Sequence, residues 1–213
     1  MVKKRSFLII FVAFLIVGCA GIEVRHDDIN IPAGKIENNY FIGIRYPFHL
    51  TVPSHWKMVM EFPDFLEELG YDKPSPGDNE VTELYLFNPE TKSNIQIDFT
   101  PAGHSERFSQ KYIELLTTAA MGSFQEEMEM DYGKGIKFDV VPTEPYVLKG
   151  VQFAAKIYAT YTLEGIKREQ GWIYGFSEPY QIFILYMILP KEGANDREDM
   201  KTILDSFEVI LQK

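Results

Sequence analysis

The sequence predicts an α+β domain with an antiparallel sheet, and three observations support this fold class. Residues 81–87 and 94–100 alternate with a period of two around a short polar segment, which is typical of a β-hairpin. Residues 136–189 contain further strand-like runs separated by turn residues. Residues 105–133 and 195–211 instead have apolar side chains at intervals of three and four, which indicates amphipathic helices.

The domain begins with a strand and a short helix. Residues 40–52 predict the strand, because apolar and polar side chains alternate between its two faces. Its apolar face consists of Phe48, Leu50 and Val52, and its polar face of His49 and Thr51. Pro53 ends the strand, since it has no backbone N–H to donate. Residues 62–70 then predict a short helix closed by Gly70, and residues 73–79 predict a loop.

A long helix follows the hairpin. Ser105 is expected to be its N-cap, with Glu106 as the first helical residue. The apolar stripe of this helix is expected to comprise Phe108, Tyr112, Leu115, Leu116, Ala119 and Phe124. The acidic segment 126–131 forms the end of the helix, which should stop near Gly133 and Gly135.

The second half predicts mainly strands. The candidates are residues 136–141, 146–148, 151–163, 166–176 and 180–189. Glu164 and Gly165 fit a tight turn between two of them. Residues 180–189 are almost all apolar, so we expect both faces of this strand to be covered and the strand to be central in the sheet.

The last segment predicts a helix. Asn195 and Glu198 have the spacing of a capping box. The apolar stripe comprises Met200, Ile203, Leu204, Phe207, Ile210 and Leu211. The sequence has no internal repeat and no low-complexity tract, so residues 40–213 are expected to form a single domain.

The first 18 residues have the pattern of a signal peptide. Lys3, Lys4 and Arg5 form a basic segment, and residues 7–17 form an uninterrupted apolar run. A membrane-spanning helix needs about twenty apolar residues, so this run is too short to cross a bilayer. We therefore expect the chain that follows to be exported.

The junction after the apolar run contains the only cysteine of the sequence. Ile16, Val17 and Gly18 precede Cys19, and this order resembles the bacterial lipobox. The resemblance implies that signal peptidase recognises Ile16, Val17 and Gly18 and that Cys19 is the lipid-attachment residue. Its thiolate is nucleophilic enough to be alkylated by a diacylglycerol, and its new amino group would receive a fatty acid such as palmitate. The alternative is a free or buried cysteine after an uncleaved segment.

Processing at Cys19 would divide the chain into three parts. Residues 1–18 would be the signal peptide, residues 19–39 the lipidated N-terminus and tether, and residues 40–213 the domain. The tether is expected because residues 20–39 mix charges with proline, glycine and asparagine and show no period. Ala20 occupies the position where Asp would be an inner-membrane retention signal, so the outer membrane facing the periplasm is favoured in a Gram-negative organism.

The mature chain would be strongly acidic. The full sequence has a formal net charge of −10, and removal of Lys3, Lys4 and Arg5 takes it to −13. Such a surface repels phosphate backbones, so nucleic acid is not expected as a partner. With one cysteine, no intramolecular disulfide can form, and the fold must depend on its apolar core.

Two segments carry a resemblance to a known family. They are residues 40–44 leading into residues 48–56, with sequence FHLTVPSHW, and residues 203–207, with sequence ILDSF. They resemble the opening strand and the closing helix of Mog1/PsbP-like domains, which include bacterial lipoproteins related to DcrB. The resemblance implies an α/β/α sandwich, in which helices cover both faces of an antiparallel sheet, over residues 40–212. It also implies a binding or assembly module without a shared catalytic residue set.

The histidines give weak candidates for a metal site. His49 and His55 lie on either side of Pro53, and a nearby carboxylate would complete a site, but the spacing fits no standard ligand motif. Surface or turn positions are the simpler interpretation for these residues and for His26 and His104. No metal and no cofactor is therefore expected.

Catalytic motifs are also weak. His104 adjoins Ser105, yet neighbours in sequence rarely face each other, and the serine is better explained as a helix cap. The pairs at residues 67–68 and 126–127 are acidic but have no calcium-loop pattern, so solvated helix faces are expected. Residues 133–135, Gly-Lys-Gly, lack the spacing of a phosphate loop and indicate a turn.

The strand region is rich in aromatic residues, which are expected to be mostly core, with a few that line a partner groove. They are Tyr158, Tyr161, Trp172, Tyr174, Phe176, Tyr180, Phe183 and Tyr186. Together, these observations favour a lipid-anchored, non-catalytic binding or assembly module for an envelope protein. The alternatives are a carrier of a small apolar ligand between sheet and helix, and an enzyme with a site assembled from scattered residues.

Overall fold

The computed structural model describes residues 31–74, 82–102 and 108–210. The strands are β1 Gly34–Glu37, β2 Tyr40–Gly43, β3 Phe48–Thr51, β4 Lys57–Val59, β5 Thr82–Phe87, β6 Asn94–Pro101, β7 Asp139–Pro145, β8 Phe153–Leu163, β9 Ile166–Ser177, β10 Tyr180–Ile188 and β11 Glu208–Val209. The helices are α1 Phe65–Glu68, α2 Gln110–Tyr132 and α3 Asp196–Ser206.

Seven strands form one antiparallel sheet in the order β4-β5-β6-β10-β9-β8-β7. Strand β10 is the fourth of the seven, so the prediction of a central strand from its apolar composition is confirmed. The predicted hairpin is also confirmed, because β5 pairs with β6. Strands β8 and β9 meet at Glu164 and Gly165, whose φ angles of 52° and 79° suit the two central positions of a type I′ turn.

The two faces of this sheet bury different cores. One face packs against α3 and a second, four-stranded sheet in the order β1-β2-β3-β11. The largest fully buried side chains of this core include Tyr186, Phe41, Phe48, Phe207, Leu50, Leu84 and Ile173. The other face carries α2 over β7, β8 and β9, with smaller apolar clusters beneath it. The predicted antiparallel sheet with helices on both faces, an α/β/α sandwich, is confirmed.

The two segments that carry the family resemblance are in direct contact. The Ser206 hydroxyl accepts a hydrogen bond from the Thr51 N–H at 2.9 Å. The ring centroids of Phe207 and Phe48 lie 5.6 Å apart. Two turns earlier in α3, Asp199 accepts a hydrogen bond from Trp56 Nε1 at 3.2 Å. These motif residues therefore fasten the closing helix to the opening strands.

The predicted tether and first strand both need correction. Residues 34–37, assigned to the tether, form β1 and pair with β2. The connection is a tight turn in which Asn38 has a φ of 57°, a conformation that asparagine tolerates better than most residues. Residues 40–52 form two strands rather than one, because the chain reverses after Gly43, where a Cβ would collide with the Tyr46 carbonyl oxygen.

The predicted helix faces are partly wrong. Helix α2 follows Ser109, whose side chain accepts a hydrogen bond from the Tyr112 N–H at 3.2 Å, and the proposed cap Ser105 lies outside the described residues. Tyr112 and Leu115 are 39% and 60% exposed. The buried stripe is Ile113, Thr117, Met121 and Met128. It was missed because Thr117 is polar in sequence, although its hydroxyl donates to the Ile113 carbonyl oxygen at 2.7 Å and is thus satisfied internally.

Helix α3 is shorter than predicted, because the chain after Phe207 forms β11 against β3. Asn195 is its N-cap but makes no side-chain capping bond. The next residue, Asp196, is buried and accepts hydrogen bonds from Asn88 Nδ2 at 2.8 Å and from the Ser93 hydroxyl at 2.7 Å. This carboxylate ties the start of α3 to the β5–β6 turn.

Candidate ligand-binding cavity

The residues of the predicted lipidation site lie outside the described residues. They are Ile16, Val17, Gly18 and Cys19, so lipidation stays a prediction from the sequence. Among the helices that the structure describes, none combines the length and the apolarity needed to cross a membrane.

The described histidines do not converge. His49 Nε2 lies 3.8 Å from Glu208 Oε2, whereas His55 Nε2 lies 2.8 Å from Asp199 Oδ2. Each ring thus has a different carboxylate neighbour. Within residues 31–74, 82–102 and 108–210, no group of three or more His, Cys, Asp and Glu side chains is placed to hold a metal ion. His26 and His104 lie outside these ranges.

The acidic pairs and the Gly-Lys-Gly segment agree with the simpler interpretation that the sequence allowed for each, a solvated helix face and a turn. The acidic pairs at residues 67–68 and 126–127 are exposed on α1 and α2, as expected of solvated helix faces. Residues 134–135 form an exposed turn after α2.

A cavity of about 500 Å³ lies between α2, residues 69–72 and the face of β8, β9 and β10 beneath that helix. Its aromatic walls are Tyr71, Phe124, Tyr132, Tyr161, Trp172 and Tyr174. Three of these belong to the strand aromatics that the sequence singled out. The rings pack edge to face around Phe124, whose centroid is 5.1 Å from that of Trp172 and 5.7 Å from that of Tyr161. The cavity is therefore shaped for an apolar or aromatic body.

The period of strand β9 places polar groups in this apolar site. Residues two apart in a strand point to the same face, so Arg168, Gln170 and Trp172 all line the cavity. Arg168 is directly opposite Tyr161 in the β8–β9 register. A guanidinium, an amide and a phenol thus share one end of the cavity.

Arg168 is the unusual residue of the cavity. It is only 5% exposed, and its Nη1 donates to the Leu69 carbonyl oxygen at 3.2 Å. Its Nε has no hydrogen-bond partner within the described part of the chain, and no described carboxylate lies within ion-pair distance of it. A buried charge normally has a partner of opposite charge, so this guanidinium is incompletely compensated.

Two tyrosines complete the polar end. The Tyr161 hydroxyl donates to Gln170 Oε1 at 2.7 Å, and burial raises the pKa of Tyr161 to about 12, although the charge of Arg168 acts in the opposite direction. The Tyr71 hydroxyl is buried and has no partner among the described residues. Burial also raises the pKa of Tyr71, with Tyr161 adding to the effect and Arg168 opposing it. Both phenols are therefore neutral hydrogen-bond donors at neutral pH.

Comparisons with known proteins agree with this architecture. No protein-family model and no curated protein matches the sequence. The chain is similar to the solution structure of cyanobacterial PsbP (CyanoP) from Synechocystis sp. PCC 6803, with a TM-score of 0.51 and 12% identity over 91% of this chain and 97% of that one. The chain has a PsbP-like fold. The expected resemblance is thereby confirmed at the level of the fold.

A second similar structure comes from another bacterium. The chain is similar to the crystal structure of LpqN, which is involved in cell envelope biogenesis of Mycobacterium tuberculosis. The TM-score is 0.50, and the 12% identity extends over 78% of this chain and 84% of that one. At this identity the likeness concerns the fold alone.

The opposite face of the PsbP-like sheet holds a partly buried cation. Lys156 Nζ lies 5.3 to 5.6 Å from the ring centroids of Tyr146, Tyr158 and Tyr186. Burial lowers the pKa of Lys156, and the nearby Glu169 partly offsets this effect. Unlike Arg168, this cation has aromatic faces and a carboxylate around it, so it is explained as part of the core packing.

Proposed function

We propose that this protein is a lipid-anchored binding protein of the bacterial cell envelope that holds a small apolar ligand between α2 and the sheet. The observation that carries the proposal is the cavity, which combines aromatic walls with a few convergent polar groups. This combination is typical of small-molecule sites. Of the functions expected from the sequence, the carrier of a small apolar ligand accounts for this cavity best.

The envelope location rests on the sequence. The basic segment, the apolar run and the lipobox-like residues before Cys19 all favour export and lipidation. LpqN, which shares the fold, is involved in cell envelope biogenesis, and this supports the same compartment. Whether the domain also meets an envelope protein stays a prediction, and the outer membrane facing the periplasm is the favoured address in a Gram-negative cell.

Binding, rather than catalysis, suits the groups at the polar end of the cavity. Arg168 is a permanent cation, Gln170 is a neutral amide, and Tyr71 and Tyr161 have raised pKa values. None of these four acts as a base or an activated nucleophile at neutral pH. They can orient a ligand by donating hydrogen bonds to it.

The ligand site is tested by narrowing the cavity. Ala120 lines the cavity from α2, whereas its neighbour Ala119 is exposed. Ala120→Leu should weaken binding of the neutral probe N-phenyl-1-naphthylamine by about ten-fold or more, measured by probe fluorescence. Ala119→Leu makes the same change on the outer surface and should leave the affinity unchanged. Equal affinities for the two variants would place the probe elsewhere and contradict the proposal.

The anchor is tested separately. Cys19→Ser should abolish incorporation of labelled fatty acid and release the protein from the membrane fraction of its host. Labelling or membrane association that survived the change would contradict lipidation at Cys19, whatever the cavity binds.

A further inference from the structure

We infer that the ligand of the cavity carries one anionic group, of the carboxylate kind, and that Arg168 binds this group at the polar end. The inference rests on the proposed function, since it names the class of ligand for the same cavity. It makes the protein a receptor for amphipathic organic acids, in which an apolar body meets the aromatic walls and an oxyanion meets the guanidinium.

Arg168 has no counter-charge among the described residues. A guanidinium that is 5% exposed has lost nearly all of its water, and desolvating a charge without a partner is costly. Its Nη1 donates to the Leu69 carbonyl oxygen, a neutral acceptor, and the Tyr161 hydroxyl beside it is neutral as well. A carboxylate would supply both the charge and two acceptor oxygens in the geometry that a guanidinium prefers.

Two hydrogen-bond donors without a described partner lie in the same cavity. Arg168 Nε and the Tyr71 hydroxyl are both buried, and neither has a hydrogen-bond partner within the part of the chain that the structure describes. Both residues line the same cavity. They are close enough that the charge of Arg168 lowers the pKa of Tyr71 against the effect of burial. Two neighbouring donors without an acceptor indicate that an acceptor is what the site takes.

Acidic residues line the mouth of the cavity. Asp72, Glu127 and Asp131 also line the cavity but are exposed. Water and salt screen exposed charges, so their repulsion of a single negative charge bound at the buried end is modest. Their combined repulsion grows with the charge of the ligand. The mouth therefore disfavours polyanions such as nucleotides, and a monoanion with an apolar body is the expected class.

A matched pair of probes tests the inference. 8-Anilinonaphthalene-1-sulfonate and N-phenyl-1-naphthylamine share one aromatic skeleton and differ in the sulfonate. Both are titrated into the protein and followed by fluorescence. The ratio of the two dissociation constants is then compared between the wild-type protein and its variants. We expect the wild-type protein to bind the anionic probe about ten-fold more tightly or better, since a hydrogen-bonded charge pair in a buried site is worth at least that factor.

Substitutions test whether Arg168 causes the preference for the anionic probe. Arg168→Met should reduce the ratio to about one, without changing the affinity for the neutral probe by more than two- to three-fold. Lys167→Met removes the same charge from the neighbouring exposed position and should preserve the ratio. Tyr71→Phe removes only a hydroxyl and should reduce the ratio by several-fold. It tests the same end of the cavity if Arg168→Met fails to fold.

Competition tests whether a carboxylate can serve as the anionic group. Decanoate should displace the anionic probe, whereas decan-1-ol at the same concentration should displace little of it. Decanol that competes as well as decanoate would overturn the inference, and so would a wild-type ratio near one with tight binding of the neutral probe. Failure of both probes to bind would instead contradict the proposed function itself, so the two failures are distinguishable.

Discussion

Replacing Tyr71 with phenylalanine should stabilise the ligand-free protein, which is the opposite of the usual effect of a buried substitution. The change removes a buried hydroxyl that has no partner among the described residues and keeps the ring that lines the cavity. A buried polar group without a partner costs about 1–3 kcal/mol. The free energy of unfolding should therefore rise by up to about that amount, and the melting temperature by roughly 2–4 °C for each kcal/mol.

Tyr161→Phe is the matched control for this experiment, because it makes the same chemical change in the same cavity. The Tyr161 hydroxyl donates to Gln170 Oε1 at 2.7 Å, so its removal leaves a buried acceptor unsatisfied and should lower the free energy of unfolding by about 1–3 kcal/mol. Urea unfolding of both variants, followed by far-UV circular dichroism at pH 7, gives the two values if the denaturant slopes agree. A loss of stability in Tyr71→Phe equal to that in Tyr161→Phe would refute the assignment of Tyr71 as an unused donor.

Three further predictions follow from buried charges and phenols. Asp196→Ala should lower the free energy of unfolding by about 3–5 kcal/mol, since it leaves two buried donors without an acceptor, whereas Asp205→Ala on the exposed side of α3 should change it by less than about 1 kcal/mol in the same urea experiment. The folded pKa of Tyr161 is raised from 10.0 to about 12, so its contribution to the free energy of unfolding is complete below pH 10 and is lost as the pH rises to 12. The urea midpoint of Tyr161→Phe should therefore fall less steeply than that of the wild-type protein over this pH range. The folded pKa of Lys156 is lowered, so the unfolded chain binds more protons just below pH 10.5 and stability should rise with pH there; Lys156→Met should lack that rise in midpoints measured at successive pH values.

Strands β8 and β10 of the large sheet were predictable because their pattern is local, whereas β4 was not predicted and residues 146–148, expected as a strand, follow the end of β7. Residues 151–163 place Ile157, Ala159, Tyr161 and Leu163 on one face by period two, and all four are buried. The apolar run at residues 180–189 was enough to place β10 at the centre of the sheet. In both cases the information lies within about ten consecutive residues.

The second sheet was not predictable in the same way, because its strands are short and depend on distant partners. Strand β11 has two residues, Glu208 and Val209, and exists only through its pairing with His49 and Phe48. In sequence these two residues lie inside the predicted last helix, between its stripe residues Phe207 and Ile210. Strand β1 was likewise hidden in a segment whose composition is typical of a tether, since two asparagines suit a tight turn as well as a linker.

The role proposed for Arg168 depends on the absence of a carboxylate partner for it among the described residues. In the sequence, Arg168 is an ordinary polar residue in a strand, where a solvated position or a salt bridge would be the natural assumption. The pattern of β9 shows that it shares a face with Trp172, but it does not show which of the 31 acidic residues of the sequence lie near it. Its Nη1 instead donates to the carbonyl oxygen of Leu69, which is 99 positions away in the chain. The lack of a carboxylate partner within the described residues is thus a property of the tertiary structure, and it converts a strand arginine into the residue expected to select the ligand.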